Sequence, residues 1–143
     1  MKLYLVNAAS GFKPVSEEDQ ELKRRLKSGA VYECEIRLAR NYEFLKKAHA
    51  LVNLAWEYLP ERQTAGFRTK ENFRKYLTVA AGFTEVFYSP TTKSWSEYPR
   101  SWSFEKMSEE EFQEMYEAIY QVIFRIFGRY INEEEFQQNL ANF

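Results

Sequence analysis

At 143 residues the chain has the size of one ordinary globular domain, and a hydrophobic content of 45% gives it material for a packed core. Five glycines and four prolines are too few for a low-complexity chain, and the single cysteine, Cys34, excludes an internal disulfide and fits a reducing cytosol. The net charge of −1 conceals a polarity, because residues 1–76 sum to +5 and residues 77–143 to −6. A neutral protein of this kind can still present a basic face to nucleic acid.

Twelve Phe, ten Tyr and three Trp supply more ring surface than so small a core normally absorbs. Some rings are therefore expected on a stacking surface or a protein interface. The apolar run at the N-terminus is too short for a signal peptide, and no stretch approaches a membrane span. A cytoplasmic protein without a membrane partner is expected.

Residues 2–7 alternate and predict a strand, followed by a turn punctuated by Gly11 and Pro14. Ser16 with Asp19 three residues on predicts a capped, charged helix to about Lys27. Residues 31–38 alternate most cleanly: Tyr32, Cys34, Ile36 and Leu38 share one face, Glu33, Glu35 and Arg37 the other. This predicts a central strand with Cys34 as a small core residue.

A long helix is predicted over residues 41–59, with Phe44, Ala48, Leu51, Val52, Ala55 and Leu59 inward and Lys46, Asn53 and Glu57 outward. Pro60 is expected to stop it, and residues 61–68 to form a polar connection. Thr69 is expected to cap a second helix that buries Phe73, Tyr76, Leu77, Ala80 and Ala81, leaves Arg74, Lys75 and Thr78 outside, and ends at Gly82.

Residues 83–89, 90–93 and 94–98 read as strand, turn and strand, with Pro99 marking an edge or bend. Ser108 opens a long helix that turns Phe112, Met115, Tyr116, Ile119, Ile123 and Ile126 inward. Tyr120 and Phe124 carry the apolar surface round its other side, which calls for a second neighbour; a twin subunit would supply one. Gly128 breaks this helix, and Asn132 with Glu135 caps a last one bearing Phe136, Leu140 and Phe143. The expected fold is a single α+β domain over residues 1–143. Its small, mainly antiparallel sheet with a hairpin would pack against two middle helices and a long C-terminal helix.

The chemistry of catalysis is missing from the pattern. The single histidine, His49, has no partner at the spacing of a nucleophile pair or metal site. No glycine-rich phosphate loop occurs, and Glu33 with Glu35 lacks a third group. No catalytic residue, metal or cofactor is expected, and the chain does not read as an enzyme.

Binding has more to work with. Arg37, Arg40, Lys46 and Lys47 gather around Asn41 and Tyr42 where the central strand passes into the long helix, whose entrance offers N–H donors to phosphate. Arg68, Lys70, Arg74 and Lys75 form a second basic group, and Trp95, Tyr98, Arg100 and Trp102 follow the hairpin. Cations interleaved with rings suit a single strand, whose phosphates need charge and whose bases stack. The same residues also read as a solvated lysine face with both tryptophans in the core, and composition alone does not separate the two.

Three stretches resemble the phage and prophage family catalogued as domain of unknown function thirteen-sixty-seven. The first is the opening strand with residues 15–21. The second is Arg40, Asn41, Tyr42, Glu43 and Phe44, continuing through Lys46, Lys47 and residues 50–53 to Glu57. The third runs from Phe73 and Arg74 through residues 77–79, Ala81 and Gly82 to Pro99, Arg100, Ser101, Ser103, Phe104, Met107, Glu111 and Phe112. Leu45 stands where the family phrase has histidine, and the connection between the two middle helices is shorter than in typical members. The order of elements is also similar to that of the phage NinB family, whose members are dimers that bind single-stranded DNA and help load a recombinase.

The resemblance implies a phage recombination accessory in the bacterial host cytoplasm. Single-stranded DNA would contact Arg37, Arg40, Asn41, Tyr42, Lys46, Lys47, Arg68, Lys70, Arg74, Lys75, Arg100 and Trp102. A homodimer would form through Tyr120, Phe124, Phe127, Phe136 and Leu140. The alternative is a binder of a host protein that inhibits a host defence system, anti-CRISPR-like in its action.

Overall fold

The structure is a computed structural model that describes every residue except 38, 40, 41, 103–105 and 143. Leu38, Arg40, Asn41, Ser103, Phe104 and Phe143, all singled out above, thus lie outside the described residues. The class is α+β, with the strands in two separate antiparallel hairpins and six helices among the described residues. The chain divides into two compact units, Met1–Ala39 and Arg40–Phe143.

In the first unit, β1 (Leu5–Ala8) pairs with β2 (Gly11–Pro14), Leu5 opposite Pro14 and Ala8 opposite Gly11. The residues expected to be only a turn thus supply a strand; Gly11, at φ +109°, makes the tight reversal that a side chain would strain. Helix α1 (Glu17–Arg24) starts where expected, with the Ser16 hydroxyl accepting from the Asp19 N–H at 3.1 Å. Asp19 is buried because its carboxylate is occupied twice, by the Ser16 hydroxyl at 2.7 Å and the Tyr4 N–H at 2.9 Å. That pairing ties α1 to the chain entering β1.

The predicted strand at 31–38 is not formed over its described residues. Residues 31–37 carry no ladder, Val31 is 99% exposed and Ile36 62%, and Cys34 is exposed instead of buried. Alternation makes a strand only where another strand actually pairs with it. Both strands of the β1–β2 hairpin pair only with each other among the described residues.

The second unit is built on helices. They are α2 (Tyr42–Tyr58), α3 (Glu61–Phe67), α4 (Lys70–Ala80), α5 (Glu109–Phe127) and α6 (Glu133–Ala141), with β3 (Thr84–Ser89) and β4 (Ser94–Pro99) between α4 and α5. Helix α2 ends just before Pro60, as expected, but Pro60 also opens a new helix: as the N-cap of α3 its carbonyl accepts from the N–H groups of Gln63 and Thr64. Thr69, Ser108 and Asn132 cap α4, α5 and α6 through bonds to the N–H groups of Asn72, Glu111 and Glu135.

The core is the space between α2, α4, α5 and α6. It is filled by Leu51, Val52, Phe73, Leu77, Phe112, Met115, Ile119, Ile123 and Phe136, all essentially inaccessible. Periodicity places most of these correctly, with corrections at the margins. Tyr76, expected inside, is 41% exposed and lies against Phe67 of α3 at 5.1 Å; Ile126 is also exposed. Thr78, expected outside, is wholly buried, because its hydroxyl bonds the Arg74 carbonyl at 2.8 Å and accepts from Trp102.

Phe136 closes the C-terminal side, within ring contact of Tyr58 at 5.7 Å and Phe124 at 5.3 Å. Truncating a buried phenylalanine removes both transfer energy and packing. Phe136→Ala should therefore lower stability by about 3–5 kcal/mol in denaturant unfolding followed by circular dichroism. A loss under 1 kcal/mol would show that α6 is peripheral to the fold.

Candidate nucleic-acid interface

Three of the predicted contacts serve the fold. Trp102 is 6% exposed: its indole N–H donates to the Thr78 hydroxyl at 3.0 Å, and its ring meets His49 at 5.0 Å and Phe112 at 6.0 Å. A tryptophan walled in on these sides cannot stack on a base, so the stacking role expected of it is corrected. Arg100 donates to Glu111 at 2.9 Å and to the Lys106 carbonyl at 3.0 Å, tying the end of the hairpin to the first turn of α5. Both neighbours of Arg100 are fixed by the sequence that follows it, which no periodic pattern displays.

Arg74, expected on the solvent side, lies over the Trp102 ring at 5.0 Å with Glu71 at 3.8 Å. Burial pulls its guanidinium below the ordinary arginine value, and Glu71 pulls it back up. The group is a cation held mainly by an indole face.

The remaining described cations differ in exposure and in pairing. Lys46 is exposed on α2, and Lys47 leans over the Tyr116 ring of α5 at 5.6 Å. His49, two residues on, faces Trp102 instead, so the two flanks of α2 look toward different elements. Arg68, at the end of α3 with φ +71°, and Lys70 are exposed; Lys75 is exposed with Glu71 at 3.7 Å. Tyr42 is half-buried in the first turn of α2. Arg37 belongs to the first unit and is paired with Glu35 at 2.8 Å. The first basic group is thereby divided, Arg37 in one unit and Tyr42, Lys46 and Lys47 in the other.

The most exposed rings among the described residues lie on the β3–β4 hairpin, whose register sets Phe87 opposite Ser96 and Tyr88 opposite Trp95. Successive residues of a strand point to opposite faces. One face therefore carries Phe87 and Tyr98, 5.4 Å apart, and the other carries Tyr88 and Trp95, 5.2 Å apart. All four are at least half exposed, Trp95 at 69%. The hairpin's own charges are Glu85, Glu97 and Lys93, the last at φ +51° in the turn.

A further cluster was hidden in the supposed connection 61–68 and the break at Gly128. The Tyr130 hydroxyl accepts from Arg62 and Gln63 of α3, both at 3.3 Å. The guanidiniums of Arg62 and Arg129 lie 5.6 and 4.8 Å from its ring centroid. Reading Pro60 as a helix start would have brought Arg62 and Gln63 onto one turn; nothing in the sequence joins them to Tyr130.

The residues expected at a dimer interface are largely spent within the chain. Phe127, Phe136 and Leu140 are buried. Tyr120 and Phe124 are half-buried, stacked on each other at 4.9 Å and against Phe136. The second neighbour that α5 required is α6 of the same chain. Among the described residues, no group of three or more His, Cys, Asp or Glu is placed to hold a metal ion, and no helix is long and apolar enough to cross a membrane.

The chain is α+β with a helical core, and its four most exposed hairpin rings and most of its described cations lie at the surface. The chain belongs to the family described as Protein of unknown function (DUF1367), whose model matches residues 1–66 and 59–143. The two matched stretches meet over residues 59–66, the Leu59–Pro60 junction after α2 and most of α3. No curated protein and no solved structure matches the chain.

The tyrosines give this surface a readable signature. Bonding from Arg62 and the charge of both arginines hold the Tyr130 phenol below the ordinary tyrosine value, whereas burial pushes Tyr116 and Tyr120 up. In an ultraviolet titration Tyr130 should ionise below the ordinary tyrosine range and those two above it. Tyr130→Phe should delete that low component, and its persistence in that variant would contradict the assignment.

Proposed function

We propose that this chain is a non-catalytic binder of single-stranded nucleic acid, acting as a phage recombination accessory in the manner of the NinB mediators. The observation that carries the reading is the β3–β4 hairpin, with two exposed ring pairs on its two faces. Solvent-facing rings on a short hairpin add nothing to a core, and every base has a face that can stack on them. Phe87, Tyr88, Trp95 and Tyr98 thus take the role first assigned to Trp102. Lys46, Lys47, Arg68, Lys70 and Lys75 remain as phosphate contacts. Any pairing of two copies would use the rims of Tyr120 and Phe124, since Phe127, Phe136 and Leu140 are occupied.

The test is fluorescence anisotropy with a labelled oligo-dT and a matching duplex over a salt series. The single strand should bind more tightly than the duplex and weaken steeply with salt. Lys46→Ala with Lys47→Ala should flatten the log–log salt slope by about 1.4, the loss of two single-strand phosphate contacts. Trp95→Ala should weaken binding about tenfold, within the range for one stacked base. Absence of binding at low salt would remove this reading.

A second reading is favoured by the charge of the hairpin itself. Glu85 and Glu97 sit among its rings, and α5 carries exposed Glu109, Glu110, Glu114 and Glu117. A protein partner, such as a component of a host defence system, would accept rings and carboxylates together. A stoichiometric complex with one host protein, lost on Trp95→Ala, would support it; a pull-down without such a partner would count against it.

A further inference from the structure

Arg62, Gln63, Tyr130 and Arg129 come together on the second unit from α3 and from the single 3-10 turn Gly128–Tyr130. The chemistry of this cluster is one-sided. A phenol hydroxyl has two acceptor positions and one proton. Arg62 and Gln63 supply donors to the acceptor side, so the proton is left to point elsewhere. The guanidinium of Arg129 and the unused N–H groups of Arg62 are likewise donors only. Among the described residues no carboxylate lies within ion-pair distance of either guanidinium. Glu133, three residues beyond Tyr130, is engaged by the Tyr120 hydroxyl at 3.3 Å.

Two cations beside one ring, with no acid to neutralise them, repel each other and persist because the ring face attracts both. The cluster is therefore a preorganised set of donors with an uncompensated charge. Arginine's planar fork matches the oxygens of a phosphate, and holding it against a ring removes part of the freedom it would lose on binding.

We propose that Arg62, Arg129 and the Tyr130 hydroxyl form a clamp for the phosphodiester backbone of the bound single strand, distinct from the lysines of α2 and α4. This inference rests on the nucleic-acid reading above and places two of its phosphate contacts. The guanidiniums take neighbouring phosphates, and the phenol donates its free proton to one of them.

The test compares Arg62→Gln with Arg129→Gln, as a double variant, against Lys23→Gln with Arg24→Gln. The control pair lies in α1 of the first unit and removes the same net charge. Labelled oligo-dT is titrated over a salt series, and thermal melts establish that each variant is folded. The clamp variant should lose about tenfold in affinity at low salt and flatten the slope by about 1.4, while the control keeps the wild-type slope. Tyr130→Phe should lose a few-fold in affinity with the slope unchanged, since it removes a donor and no charge.

Equal losses in the clamp and control variants, or a wild-type slope in the clamp variant, would overturn the assignment while leaving the wider reading standing. Failure of the wild-type protein to bind oligo-dT would overturn both. Two competitors are added at constant ionic strength. Displacement of the strand by inorganic phosphate would make this a free-anion site, and displacement by oligo-glutamate would point to an acidic protein. Persistence of the complex with both supports the backbone clamp.

Discussion

Helix α5 is apolar over most of its circumference, and a helix of that kind has to be surrounded. Phe112, Met115, Ile119 and Ile123 cannot remain in water, and neither can the rings of Tyr120 and Phe124 on the adjoining side. The solution adopted is to place α2 and α4 against one side and to fold α6 back over the other, with Phe136 filling the angle. Everything else in the second unit is arranged around that enclosure. The break at Gly128 and the short turn after it reverse the chain, and the hairpin lies against α4 through β4 while its ring pairs stay exposed.

Trp102 is the node at which the enclosure is joined to the surface. One side chain meets Thr78 and Arg74 of α4, His49 of α2 and Phe112 of α5. Burying an indole N–H without a partner costs on the order of 1–3 kcal/mol, and this explains why a threonine lies inside α4. Arg74 then covers the ring with its guanidinium, so a residue that looks like a surface cation acts as a lid on the core. The cations left over are those whose neighbours are helices alone or solvent.

Local rules made much of this legible. The caps at Ser16, Thr69, Ser108 and Asn132 and the hairpin over 84–99 lie where side-chain chemistry puts them, because each depends on residues within four positions. The stripes of α2, α4 and α5 were legible for the same reason. Relations between elements were not. The alternation at 31–37 is not joined to any ladder, although both hairpins keep outer edges open among the described strands. Thr78 became a core residue through Trp102, 24 positions away, and Tyr130 gained its partners from 67 and 68 positions away. The apolar second side of α5 was recognised, but a pattern that demands a neighbour does not say whether that neighbour belongs to the same chain.

Among the described residues the β3–β4 hairpin is a sheet of two strands, so along each strand every other backbone N–H and C=O points outward with no strand paired to it. Such rows accept any extended chain that arrives in register, including another copy of the same hairpin, and the rings on both faces would reward the contact. What restrains this is modest: Pro99, which has no N–H to offer, and the carboxylates of Glu85 and Glu97, which a stacked copy would bring near their own kind. Those two glutamates, idle in any account of nucleic-acid affinity, set like charges against any second copy that would stack on this surface.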